Sequence, residues 1–328
     1  MQVTIIIVNY NGGDLLKRCV AALQDQTFRD FHAIIVDNAS KDQSIESLPP
    51  FPGSFEIIRA GSNLGFAAAN NLAVRHAKTE WIALLNPDAI PQPNWVRELM
   101  TATQRYPDTV MFGSTQVNAT DPSVLDGTGD VYHACGIAWR SNIGRSVAEV
   151  PLEGETFGPC AAAALYRREE FLAVGGFDER YFCYYEDVDL AFRLRLQGHR
   201  CIQVPSAIVH HYGSAIAGRY SEFTIYHGTR NRFWTFVKNI PALLLVLMLP
   251  VHCAMHMAFV LRAYSKGYAP PALRATWDML KQIGPILATR REVQGSRRLS
   301  TWAVAAALTW SPFKLLGRAS DLRPIGRD

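Results

Sequence analysis

The chain has 328 residues, 48% of them hydrophobic and 19% charged, with a formal net charge of +4. That is long enough for one large or two smaller domains, too apolar for an ordinary soluble enzyme and too polar for a polytopic membrane protein. The six cysteines (Cys19, Cys135, Cys160, Cys183, Cys201, Cys253) are scattered without a CxxC pair, which argues against a disulfide framework or a zinc site and fits a reducing cytoplasm.

The start, MQVTIIIVNYNGG, has no basic leader and only a short apolar run, so it reads as a buried strand rather than a signal peptide. VTIIIV (Val3–Val8) is that strand, and GGDLLKRCVAALQDQ has helical spacing at Leu15, Leu16, Cys19 and Leu23. HAIIVD is a second strand, KDQSIESL a short helix, FEIIRA a third strand and GFAAANNLAVRHA a helix. WIALLN is a fourth strand, and QPNWVRELMTATQRY the helix after it. Strands alternating with helices imply βαβ units and a mainly parallel sheet, whose ligands sit outside the carboxyl ends of the strands. Polar residues fall at those ends: Asn9-Tyr10-Asn11, Asp37-Asn38 and Asn86-Pro87-Asp88. Such residues also make ordinary turns, but three sets on one sheet edge mark a site.

Beyond Val110 the pattern loosens into a loop-rich excursion around Asp126 and Asp130. A small-residue strand and a helix follow in GPCAAAALYRREEFLAVGGFDE, then a helix in EDVDLAFRLRLQG and a short strand in HRCIQVP. The helix predicted from about Ser221 to Asn239 opens a different region. From Thr229 onward there are 15 Lys/Arg against 4 Asp/Glu; residues 1–228 hold 18 against 25. A basic tail suits nucleic acid or an anionic membrane, and its long apolar stretches favour the membrane. The expected organisation is therefore a domain over 1–228 and a membrane-associating helical region over 229–328, with no nucleic-acid partner. The uncharged run from Pro241 to Leu261 is about long enough to cross a bilayer. Pro250, His252 and His256 interrupt it, so a single span and helices lying in the interface both stay open.

The stretches IIIVNYNG, VDNASKD, NLGFAAANN, LLNPD, GGFDERYF followed by YYEDVDLAFRLRLQG, VHHYGSA and YHGTRNR occur in this order over roughly residues 3–240. Together they resemble the inverting family 2 glycosyltransferases, and among them the rhamnosyltransferase-like enzymes of bacterial surface-polysaccharide assembly. The resemblance implies an α/β, Rossmann-like GT-A fold. It implies transfer of a sugar, rhamnose by the branch, from a dTDP- or UDP-linked donor to a hydroxyl of a lipid-linked or polysaccharide acceptor at the cytoplasmic face of the cell membrane. A sugar nucleotidyltransferase and a non-catalytic binding subunit are the rival readings. The first needs a basic glycine-rich loop that NYNGGDLLKR supplies poorly; the second is opposed by the intact Glu186-Asp187 pair.

By the same resemblance the donor pocket comprises Val8, Asn9, Tyr10, Asp37, Asn38, Asn63, Gly65, Asn70, Asn86, Asp88 and Arg230. Asn86-Pro87-Asp88 replaces the family's Asp-x-Asp, so only Asp88 offers a carboxylate. With His211, preferred over His210, it would hold Mn²⁺ or Mg²⁺, the imidazole favouring Mn²⁺. Asp187 is the expected general base and Glu186 a catalytic neighbour that contacts the acceptor or orients the site; Asp178 and Tyr185 line the acceptor side. Asp189 points elsewhere on the helix and suits a pair with Arg193. Arg230 and Arg232 can reach a pyrophosphate or lipid head groups.

Overall fold

The computed structural model describes residues 1–49, 55–213 and 221–325. Ser214 and Ala215 of the VHHYGSA stretch lie outside the described residues. Twelve strands are described: β1 (Val3–Asn9), β2 (Phe31–Asp37), β3 (Phe55–Arg59), β4 (Trp81–Leu85), β5 (Ala89–Pro91), β6 (Met111–Asn118), β7 (Leu125–Gly127), β8 (Asp130–Tyr132), β9 (Ala138–Arg140), β10 (Gly154–Thr156), β11 (Ala163–Arg167) and β12 (Cys201–His211). The helices are α1 (Gly13–Gln24), α2 (Gly65–His76), α3 (Trp95–Arg105), α4 (Arg168–Ala173), α5 (Glu186–Leu196), α6 (Glu222–Asn239), α7 (Ala242–Ser265), α8 (Ala269–Lys281), α9 (Ile283–Ser296), α10 (Thr301–Ala307) and α11 (Pro312–Gly317).

The main sheet runs β10-β12-β6-β11-β4-β1-β2-β3, with β5 on β12 and β7 on β6. Its strands bury side chains alternately on two faces, as a two-residue period requires. Ile6, Ile34, Val36, Ile82 and Leu84 join one core with α2, α5 and α6. Ile5, Ile7, Ile35, Ala83 and Leu85 join the other with α1 and α3.

β3, β2, β1 and β4 are parallel, as expected. Beyond them, among the described residues, the expected parallel pairing continues only between β12 and β6. β11 enters antiparallel between β4 and β6, and β10 and β5 pair antiparallel with β12. β11 arrives from the long excursion rather than through a crossover helix, so nothing imposes a parallel entry. The sheet is mixed. The helix expected in KDQSIESL is also replaced, by turns. Ser44 donates to Asp42 Oδ1 (2.5 Å) and accepts from Asn9 Nδ2 (2.8 Å), and Asp42 Oδ2 accepts from Gly13 N (2.9 Å). Side chains that bond this locally compete with the helix ladder.

Helix α6 runs unbroken through the expected boundary at 228/229. Trp234 and Phe236 of α6, Leu244 of α7, Met279 of α8, Ile286 of α9 and Val304 of α10 belong to the same core as Ile6 and Ile34. The tail is packed onto the sheet domain. Leu244, His252, His256, Val260 and Ala263 of α7 form one buried stripe, and Leu245, Met248, Met255 and Phe259 pack beside it. Leu243, Val246, Leu247, Met257, Leu261 and Tyr264 are exposed.

Candidate active site

A cleft of about 720 Å³ opens at the carboxyl ends of β1, β2 and β4. It gathers Val8, Tyr10, Asn38, Asn63, Gly65, Asn86, Asp88, Tyr185, Glu186, Asp187 and His211 from the expected set. Asn9, Asp37, Asn70, Asp178 and Arg230 are not among its lining residues.

Local structure explains each placement on the β1–β2–β4 side of the cleft. Ala89 N donates to Asn86 O (3.0 Å), closing a four-residue turn with Pro87 at its second position, where a fixed φ suits a turn. The turn presents Asp88 beside β12, whose His211 is in register with Ala89. Asn38 holds the neighbouring loop by donating to Asn63 Oδ1 (2.9 Å) and accepting from Leu64 N (2.8 Å). Gly65 has φ +77°, and a Cβ there would lie 2.5 Å from the Phe182 ring. Its absence lets Phe66 N and Ala67 N reach the Phe182 carbonyl (2.7 and 3.2 Å).

The opposite wall is α5 and the segment before it. Phe182, Tyr184 and Tyr185 have φ of +64°, +68° and +69°, a left-handed run of large residues that neighbours must enforce. Asn231 Nδ2 does so, donating to the carbonyls of Tyr181 (3.0 Å), Cys183 (2.9 Å) and Tyr184 (2.7 Å). At the start of α5, Asp187 Oδ2 accepts from Ala161 N (3.2 Å) and Oδ1 from Val188 N (2.8 Å). Burial pushes the Asp187 carboxyl above its ordinary value, although those amides and Arg140 pull it down. Glu186 is raised well above its ordinary value, first by burial and then by the Asp187 charge, and its Oε2 has no hydrogen-bond partner.

Sequence reasoning missed three residues of the cleft. Asp130, Arg140 and Cys160 line the cleft, with Asp130 and Arg140 opposite each other on β8 and β9. Burial and the Asp187 charge raise Asp130 strongly. Asp126, beside them on β7, accepts from His211 Nδ1 (2.6 Å) and from Arg140. The only sequence signal was a pair of acids in DGTGD. His211 Nε2 is buried without a hydrogen-bond partner, 3.4 Å from Asp88 Oδ1. Burial opposes charge on His211, but the two acids outweigh it and raise its pKa. A carboxylate oxygen and an orphaned imidazole nitrogen converging in this way suit a divalent cation. Among the described residues no group of three or more His, Cys, Asp or Glu side chains makes a complete cage, so water, or substrate oxygens in its place, would have to finish the coordination.

The residues left out of the cleft are occupied. Asn9 Nδ2 donates to Ser40 and Ser44, and Asn70 Nδ2 donates to Phe66 O one turn earlier in α2 (2.9 Å). Asp37 accepts from Ser40 N (3.1 Å) and faces Arg59 (3.4 Å). Asp178 is ion-paired with Arg180 (2.6 Å) and Lys238 (2.7 Å), on a separate cavity. Arg230 donates to the carbonyls of Arg180 and Tyr181 (3.0 and 3.2 Å) and to Asn231, so its fork supports the Tyr181–Tyr185 segment. Arg232 turns toward α7, 4.1 Å over the Phe259 ring.

The glycosyl transferase family 2 model matches residues 4–174, more than half of the chain. An N-acetylglucosaminyl-diphospho-decaprenol L-rhamnosyltransferase of Mycobacterium tuberculosis is 29% identical over 245 residues, 66% of this chain and 77% of its own length. The rhamnosyltransferase WbbL of Escherichia coli is 26% identical over 226 residues, 64% of this chain and 83% of its own. Among solved structures, the mannosyltransferase PcManGT of Pyrobaculum calidifontis, in complex with GDP-Man and Mn²⁺, superposes with a TM-score of 0.53 at 18% identity. That match covers 97% of this chain and 88% of the other, a likeness of fold.

Proposed function

Since the chain belongs to glycosyl transferase family 2 and is a glycosyltransferase, we propose that it moves a sugar from a nucleoside diphosphate to an acceptor hydroxyl by one inverting displacement, with Asp187 as general base. The single observation that carries this reading is Asp187 itself. It is a carboxylate on the first turn of a rigid helix, made more basic by burial, in the same cleft as Asp88 and His211. A base of this kind takes the acceptor proton as the oxygen attacks.

Tyr10, Asn38, Asn63 and Gly65 form the side on which a nucleoside rests. Mn²⁺, favoured over Mg²⁺ by the imidazole, would be held by Asp88 and His211 and would neutralise the departing diphosphate. Tyr185 and Glu186 face the acceptor; a protonated Glu186 donates a hydrogen bond rather than repelling Asp187. The named relatives support rhamnose as the sugar, and the mycobacterial one a lipid-linked glycan as acceptor; dTDP or UDP is the carrier in this reading.

The 229–328 region would bring the cleft to that acceptor. α7 is long and apolar enough to cross a membrane. Its buried stripe runs from Leu244 to Ala263, fastening it lengthwise to the protein, which supports a helix lying in the cytoplasmic face of the membrane rather than crossing it.

The deciding experiment is Asp187→Asn. Turnover should fall by about 10²- to 10⁴-fold, while calorimetric titration with UDP, dTDP and GDP, each with Mn²⁺ and with EDTA, shows unaltered nucleotide binding. Undiminished turnover removes Asp187 from the mechanism.

A further inference from the structure

We infer that Asp126 and Arg140 are positioning residues of the cation site: Asp126 fixes His211 in the tautomer that aims a lone pair toward Asp88, and Arg140 holds Asp126 in place. The inference deepens the reading above and rests on its placement of a cation at Asp88 and His211.

An ionised carboxylate only accepts hydrogen bonds. The 2.6 Å bond between Asp126 Oδ2 and His211 Nδ1 therefore places an imidazole proton on Nδ1. In neutral histidine Nε2 then carries the lone pair, and this atom is buried, has no hydrogen-bond partner and lies 3.4 Å from Asp88 Oδ1. A charge-assisted N–H···O bond closes to about 2.7–2.9 Å; two acceptors at 3.4 Å repel unless a cation stands between them. A carboxylate behind a metal-ligating histidine fixes its ring and raises its basicity.

Arg140 supplies the next support. Its guanidinium donates to the Asp126 oxygen that His211 uses, and it projects from β9 into the cleft wall. Asp126 and His211 are 85 residues apart, on β7 and β12, both of which pair with β6. Strand pairing with β6 brings them together.

The alternative is a His211 imidazolium ion-paired to both acids. The two arrangements respond oppositely to Asp126→Asn. If Asp126 positions a neutral ligand, the isosteric amide weakens cation binding, on the order of 10- to 100-fold. If His211 is an imidazolium, removing one acid eases its deprotonation, and the cation binds as well or better.

The test is Mn²⁺ alone titrated into the full chain, with free Mn²⁺ read by electron paramagnetic resonance, for wild type, Asp126→Asn and Asp88→Ala. The inference expects binding by wild type, loss in Asp88→Ala, and weaker binding by an Asp126→Asn protein whose circular dichroism matches wild type. Equal or tighter binding by Asp126→Asn overturns the inference alone. A wild type that binds no Mn²⁺, or binds it equally with Asp88 removed, overturns the cation reading and this inference with it. Should Asp126→Asn fail to fold, ¹⁵N-histidine spectra of wild type decide. A neutral, Nδ1-protonated His211, assigned by its loss in His211→Gln, supports the inference; an imidazolium or an Nε2-protonated ring overturns it.

Discussion

Lys238 Nζ lies 2.8 Å from Asp189 Oδ1, and neither side chain has any exposure to solvent. The same ammonium is 2.7 Å from Asp178 Oδ2, while Asp189 also takes Arg193 Nε (2.9 Å) and Asn239 Nδ2 (2.7 Å). This buried network ties α5, which carries Asp187, to α6. Breaking a buried pair leaves an uncompensated charge, at a cost of about 3–5 kcal/mol. Lys238→Met should lower the urea midpoint at pH 7 by that much stability. Burial alone would raise Asp178 and Asp189, but their cations prevail and hold both below the ordinary carboxylate range. The stability they add is complete above an unfolded value of about 4 and is lost as pH falls toward the folded values. The gap between Lys238→Met and wild type should therefore narrow at pH 3, and a gap independent of pH would refute the ion-pair account.

If Asp187 is the general base, the acid limb of kcat/KM should sit above the ordinary aspartate value of about 3.9, because burial raises Asp187 and the reaction would need its ionised form. Asp130 and Asp187 repel each other in the cleft, so the limb belongs to the pair. Removing one negative charge eases ionisation of the other. Asp130→Asn should move the limb to lower pH, and a limb that stays put would separate Asp130 from the base.

Glu186 should be a liability for folding. Its folded pKa is raised, so its carboxyl is neutral at no penalty below the unfolded value. Stability is then lost as pH climbs from that value through the folded one. Glu186→Gln should raise the melting temperature at pH 8 by a few degrees, about 2–4 °C per kcal/mol for a protein of this size. At pH 4 it should change it little. An equal effect at both pH values would rule out the titration.

Asn231→Ala removes three hydrogen bonds from the left-handed run at Phe182–Tyr185. Leaving carbonyls unsatisfied costs about 1–3 kcal/mol, and Asp187, next along the chain, would be misplaced for the proposed role. We expect kcat to fall by about 10²-fold with nucleotide affinity retained; parallel loss of both would place Asn231 in the donor site instead.

Val246 and Leu247 stand exposed on α7, 71% and 61% accessible. If that face lies in lipid, Val246→Glu with Leu247→Glu should reduce co-flotation with anionic vesicles at least tenfold, since burying each side chain contributes about 1.5–3 kcal/mol. Turnover on a water-soluble acceptor should be unaffected. Unchanged flotation would relocate the membrane contact.

The elements around β1, β2 and β4 were legible because apolar runs and helical spacing alternate there with polar residues at each strand end. β6 was not. Ser114, Thr115 and Gln116 are buried polar residues in its middle, and they hide the apolar pattern that announces a strand. Asp126 and Arg140 escaped for a different reason: their meeting with His211 depends on strand pairing across a long excursion, which local periodicity does not encode. The pairing of Asp189 with Arg193 was foreseen from helix geometry, but its burial follows from Lys238, 49 residues further along. Arg230 looked like a phosphate ligand because guanidinium suits phosphate; the carbonyls of a strained turn present oxygens to it just as well.

The β8–β9 hairpin has a front and a back. Trp139 lines the cleft, while Val131, Cys135, Ile137 and Trp139 together form the buried patch against which Met248, Met255 and Phe259 of α7 pack. Of those four, Trp139 alone is also among the residues that line the cleft. Trp139 therefore belongs at once to the cleft wall and to the patch beneath α7, so a change in how α7 packs would reach the cleft through a side chain the two share.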